Sequence, residues 1–98
     1  MLSFTWDDAK ARINIAKHGV NFNEAISVFE DPQALLIFDS DHSDSEDRFV
    51  ILGMSDLARL LVVCHCYREQ DEQVRIISAR RATKKEIQTY RERSVDYA

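Results

Sequence analysis

The chain has few of the residues that punctuate or staple a fold: two glycines, one proline and two cysteines among 98 residues. With Gly19 and Gly53 as its only glycines, it has no glycine-rich loop to cradle a nucleotide phosphate, and no cofactor is implied. Cys64 and Cys66 stand two apart with no second Cys/His cluster, which fits neither a secreted disulfide framework nor a four-ligand zinc site. Both are expected as reduced, packed thiols, and no metal is expected. Apolar runs such as Leu60 to Cys64 fall far short of the ~20 residues a membrane span needs, and the N-terminus lacks the apolar core of a signal peptide. The expectation is a cytoplasmic protein with no membrane partner. No linker, repeat or low-complexity tract divides the chain, so residues 1–98 are expected to form one domain.

What is present is charge in blocks. The net charge is −4 and the pI about 5.3, which opposes the picture of a nucleic-acid binder coated in positive charge. Yet Val74 to Arg93 holds seven basic residues (Arg75, Arg80, Arg81, Lys84, Lys85, Arg91, Arg93) against Glu86 and Glu92. Asp39 to Asp47 holds five acids and no lysine or arginine. Blocks of opposite sign predict two surfaces, one for a polyanion and one for solvent or a basic partner.

Periodicity divides the chain in two. Leu2 to Trp6 alternates weakly as a short strand. Asp7 is a plausible N-cap for a helix to His18, with Ala9, Ile13 and Ala16 on one face and Gly19 as its stop. Asn21 with Glu24 is a second cap signal, and Phe22, Ala25, Ile26 and Phe29 give a buried stripe that Asp31-Pro32 ends. From Ala34 the period changes: Ala34 to Asp39, Arg48 to Met54, Arg59 to Arg68 and Gln73 to Arg81 are strand candidates of an antiparallel meander. Thr83 with Glu86 reads as a capping box opening a last helix, Lys84 to about Arg93, whose inward residues are Ile87 and Tyr90. The loop Ser40 to Asp47 is expected to be mobile.

The segment Val74 to Glu86 therefore sets an arginine pair, Arg80-Arg81, at a rigid strand-to-helix corner. Planar guanidinium forks that stay charged suit phosphate. Arg75 to Thr83, preceded by Leu61 to Arg68, resembles the BrnT toxins of bacterial type II toxin–antitoxin pairs. Phe4-Thr5-Trp6-Asp7, Asn14, Lys17-His18-Gly19-Val20, Phe22, Glu24-Ala25, Val28-Phe29, Asp31-Pro32, Glu46 and Arg48 are similar to that family's pattern in the same order. The resemblance implies a RelE-like α+β fold: two N-terminal helices on a mainly antiparallel, twisted sheet of four to five strands, plus a C-terminal helix. It also implies a small ribonuclease toxin, an RNA substrate and a ribbon-helix-helix antitoxin of the BrnA-like kind. Operator DNA would be met only through the antitoxin complex.

Hairpin loops at Ser55 to Ala58 and Glu69 to Glu72 would set Arg48 opposite His65, His65 opposite Ile76 and Leu61 opposite Arg80. Alternation then gives one face Phe49, Ile51, Leu60, Val62, Cys64, Cys66, Ile77 and Ala79, expected to carry the helices, with Arg75 and Arg81 at its ends. The other face, with Arg48, Val50, Val63, His65, Tyr67, Val74, Ile76, Ser78 and Arg80, is expected to be the site. RNA cleavage without a metal needs a proton taken, a phosphorane stabilised and a leaving oxygen protonated. Arg48 and Arg80 are expected to stabilise the phosphorane, His65 to move the proton, and Glu46 to share that work or orient Arg48. Arg75, Tyr67, Arg81, Lys84, Lys17 and His18 are the expected substrate contacts, though helix capping alone explains Lys17 and His18, and Arg75 has the acidic loop as an alternative partner. His42 is expected to be solvated. A second reading keeps the fold without the chemistry: a non-catalytic antitoxin-binding or co-repressor module.

Overall fold

The computed structural model describes residues 2–68, 70 and 72–96. Its elements are β1 (Ser3–Thr5), α1 (Asp8–His18), α2 (Phe22–Ser27), β2 (Leu35–Phe38), β3 (Arg48–Met54), β4 (Leu60–Arg68), β5 (Gln73–Arg81) and α3 (Lys84–Asp96). The described strands form a five-stranded sheet in the order β1-β5-β4-β3-β2. β1 runs parallel to β5, and the other neighbours are antiparallel. The fold is α+β as expected, with β1 added to the meander as a parallel edge.

The caps form where the sequence sets them. Asp7 accepts a hydrogen bond from the Lys10 N–H at 3.1 Å, and Gly19 ends α1 in the left-handed region at φ 69°. Asn21 caps α2, which tightens after Ser27 into a 3₁₀ turn, Val28–Glu30. At α3 the box closes both ways: Glu86 accepts from the Thr83 N–H at 2.8 Å, and Thr83 Oγ1 from the Glu86 N–H at 3.2 Å.

Helix α1 differs from its expected orientation. Ala9 and Ala16 are exposed and Ile13 is 63% exposed; the helix instead buries Asn14 and packs Ala11 on the core. Because β1 stops opposite Arg75, the rest of the β5 edge would lie open, and Asn14 takes the place of the missing strand there. Its amide donates to the Ala79 carbonyl at 2.9 Å and accepts from the Ala79 N–H at 3.0 Å, while also donating to the Val20 carbonyl at 2.9 Å. A polar side chain wins over apolar periodicity because buried backbone groups must find partners.

Two apolar layers sandwich the sheet. On one face Val20, Phe22, Ala25 and Val28 pack on Ile51, Leu61, Val63, Val74, Ile76 and Ala79. On the other, Tyr90 of α3 packs on Leu35, Leu52 and Val62. Each Val, Leu, Ile or Phe among them, fully buried, contributes about 2 kcal/mol. Tyr90 also donates to Asp31 Oδ2 at 2.7 Å, and the same oxygen accepts the Met54 N–H at 2.8 Å. Gly53 lies in this tight corner: a Cβ there would meet Val28 Cγ1 at 2.8 Å and Ala34 Cβ at 2.9 Å.

The register corrects the expected faces in two places. In the β3–β4 hairpin Arg48 stands opposite Cys66, and Phe49 opposite His65. The turn closes between Ser55 and Arg59, with Ala58 at φ 59°. Ala58 takes the left-handed position that a three-residue loop usually gives to glycine, so nothing in its identity announced the turn. Between β4 and β5, His65 opposes Ile76 as expected, but Cys64 opposes Ser78, leaving Ile77 as the extra residue of a β-bulge. Leu61 accordingly meets Arg81, not Arg80. Of the expected turn at the other end, Glu69 and Asp71 lie outside the described residues.

Asn14→Ala should cost about 3 kcal/mol in urea denaturation, since it strips partners from buried backbone groups of Ala79 and Val20. Ala58→Gly should stabilise by about 1 kcal/mol, because glycine adopts that backbone without strain.

Candidate active site

The two register shifts cancel for Arg48 and Arg80, which share the sheet face that bears α3. They border a cleft of about 300 Å³ whose floor is Val50, Val62, Cys64, Ile77 and Ser78, with Asp39 and His42 at its rim. Each polar group arrives for a local reason. Arg48 opens β3, its N–H held by Ser43 Oγ at 3.0 Å and its carbonyl by the Asp39 N–H at 2.8 Å. Within the loop expected to be mobile, Ser40–His42 forms a 3₁₀ turn. That turn puts His42 Nδ1 2.9 Å from Asp39 Oδ2. The His42 side chain is 66% exposed and that of Asp39 20%, so the imidazole stands in solvent at the cleft mouth with a carboxylate fixing its orientation.

The Arg48 side chain is one-third exposed. Its Nε is buried without a hydrogen-bond acceptor among the described residues, with Glu46 3.8 Å away. Glu46 also holds Arg68 at 3.1 Å, so this carboxylate orients two arginines. Arg80 is already engaged: its fork makes a bidentate pair with Glu86 at 2.8 and 2.9 Å. The pair holds the Glu86 carboxyl down at about 2, against an ordinary 4.5. Cys64 stays a protonated thiol, since burial pushes it above its ordinary range.

His65 does not join them. It lies on the opposite face, 0% exposed, within ring-contact distance of Phe29, Phe49 and Tyr67. The expectation that His65 shares an open face with Arg48 and Arg80 is corrected by the β3–β4 register and the bulge. Its Nδ1–H donates to the Val63 carbonyl at 3.1 Å, and Nε2 accepts from the Tyr67 hydroxyl at 3.2 Å. Burial pulls its pKa below the ordinary 6.5, and the Val63 bond offsets this only in part. A buried, neutral, doubly bonded imidazole is a core residue. Tyr67 goes with it, half-buried on the helix-bearing face.

The remaining candidates scatter. Arg75 is half-buried opposite Cys66. Arg81 and Lys84 are exposed, Arg81 near enough to Glu24 to help lower its pKa, which is set first by the hydrogen bond from Arg59. Lys17 and His18 border a separate depression of about 170 Å³ with Lys10, and it shares Ile77 and Ser78 with the cleft. A cationic margin thus continues over the β5 edge. His42, expected to be solvated, is the cleft residue that sequence reasoning set aside; its signal was Asp39 three residues earlier, a spacing that one helical turn brings into contact.

Fold and cleft together define a small α+β domain with an arginine-bordered cleft on the sheet face opposite its two N-terminal helices. The family model described as the ribonuclease toxin BrnT of type II toxin–antitoxin systems matches residues 6–86, and the chain belongs to that family. The 1.1 Å crystal structure of the Brucella abortus ribonuclease toxin BrnT is similar in fold. Its TM-score is 0.65 at 23% identity, over 86% of this chain and 100% of that one. No curated protein sequence matches.

The unfolded chain takes up a proton on His65 near the ordinary imidazole value, and the folded chain resists it. His65 therefore contributes its full stability above that value and loses it as pH falls. The urea midpoint should drop as pH falls through and below the ordinary imidazole value, and His65→Phe should flatten that part of the profile.

Proposed function

We propose that the chain is a metal-independent endoribonuclease that works at the open cleft. A ribose 2′-hydroxyl loses its proton and attacks the adjacent phosphorus. The phosphorane then expels the 5′-oxygen, which takes up a proton, and a 2′,3′-cyclic phosphate remains. Charge builds on the non-bridging oxygens, and a fixed guanidinium within hydrogen-bond reach is the largest available source of stabilisation. Arg48 has that role, and the observation that carries the reading is that Arg48, whose Nε has no hydrogen-bond acceptor among the described residues, lines one cleft with the hydrogen-bonded His42–Asp39 pair. His42 moves the proton, Asp39 orients it, and Glu46 positions Arg48. Arg80 is a second phosphate ligand once Glu86 releases it. Lys17, His18 and Lys84 guide the RNA backbone, with Arg75 and Arg81 adding to the field around it.

The activity halts growth in the cytoplasm when unopposed. A ribbon-helix-helix antitoxin neutralises it, and the pair represses its own operon, the antitoxin alone touching operator DNA. The occupied fork of Arg80 favours the rival reading of a non-catalytic antitoxin-binding or co-repressor module. Purified protein mixed with labelled RNA separates the two. Cleavage should persist in EDTA and leave a cyclic phosphate. Arg48→Ala and His42→Ala should each lower kcat about 10²-fold with unchanged thermal midpoints. His65→Ala should lose activity only in step with folding, at a cost of about 3 kcal/mol. Inert, well-folded protein supports the module, and cleavage abolished by EDTA contradicts the metal-free route.

A further inference from the structure

β2 ends the sheet opposite β1, and among the described residues no strand pairs with its outer edge. The Asp39 N–H donates to the Arg48 carbonyl, and the ladder continues through Ile37 with Val50 and Leu35 with Leu52. Hydrogen bonding alternates along an antiparallel pair. Leu35, Ile37 and Asp39 therefore turn their backbone groups toward β3, and Leu36 and Phe38 turn theirs outward. Proteins guard such edges with lysine, proline, a bulge or a covering segment. This edge is short, four residues, but among the described residues it has none of these: Leu36, Ile37 and Phe38 are 54%, 47% and 50% exposed.

The surroundings indicate what fits. Leu36 borders a trough of about 560 Å³, with Phe49 and Tyr67 on its apolar side and Glu46 and Asp47 on its rim. Directly after β2 come the five acids of Asp39 to Asp47. We propose that β2 is a docking edge for an extended segment of a protein partner that alternates apolar with basic residues and adds as a further strand. Its main chain bonds Leu36 and Phe38. Its apolar side chains fill the trough, and its lysines or arginines meet the acidic loop. A second copy of this chain would bring a second acidic loop and a net charge of −4, so charge selects a basic partner. On the function proposed above, that partner is the antitoxin, and this assignment rests on that reading.

The full chain is titrated with a synthetic peptide alternating valine and lysine, and with its valine–glutamate counterpart, while amide exchange is followed by NMR. The lysine peptide should protect the Leu36 and Phe38 amides, bind about tenfold tighter than its counterpart and weaken with salt. Leu36→Pro removes one outward N–H and spares the ladder to β3, and should weaken binding about tenfold. Asp47→Lys, a surface change that leaves the strand intact, should shrink the lysine peptide's advantage, since the trough rim then keeps Glu46 as its one acid. The co-purified antitoxin should protect the same two amides. No binding, equal affinity for both peptides, antitoxin protection confined to α3 or the cleft, or sedimentation showing dimers that Leu36→Pro dissolves would each overturn the proposal. RNA cleavage by Leu36→Pro is read separately: a failed nuclease reading leaves the exchange result standing, and failed docking leaves cleavage unchanged.

Discussion

The organisation of this protein depends on a single slip in strand pairing. At Ile77 β5 carries one residue more than β4, and alternation reverses for everything beyond it. Ala79 turns to the helix-bearing core, while Ser78 and Arg80 turn to the face where Arg48 stands. Without that extra residue the two arginines would lie on opposite sides of the sheet. The bulge is thus what assembles the cleft, and it sits at the cleft floor.

A few polar side chains fix the frame around it. Asn14 closes the β5 edge, Asp31 ties Met54 and Tyr90 together, and Glu24 takes Arg59 through both carboxylate oxygens and accepts from Ser55 Oγ at 2.6 Å. The Arg59 pair holds the Glu24 carboxyl below its ordinary range. Asn14, Glu24 and Asp31 belong to the motifs that carry the resemblance to the family, and their work is scaffolding. A motif-bearing polar residue in a small domain is as readily a support of the backbone as a participant in chemistry.

The elements were legible because their signals are local. Caps at Asp7, Asn21 and Thr83, the stop at Gly19 and the change of period after Pro32 depend on neighbours in sequence. The faces were less legible, because they depend on pairing. Ala58 closes a turn in a conformation its identity does not advertise, and no local pattern marks Ile77 as an insertion. Two one-residue errors left Arg48 and Arg80 correctly together and put His65 on the wrong side. His42 was passed over for a related reason: an acidic loop reads as solvated until a turn brings Asp39 against the ring.

The Arg80–Glu86 pair has a thermodynamic corollary. Glu86 is at once the counterion of Arg80 and half of the reciprocal cap that starts α3. An anion that takes the same two Nη donors displaces this carboxylate, and Glu86 then keeps only its cap bonds with Thr83. Occupancy of that fork and fraying of the terminal helix are therefore linked in both directions: whatever loosens the start of α3 sharpens anion affinity there, and a bound anion loosens the start of α3 by the same factor.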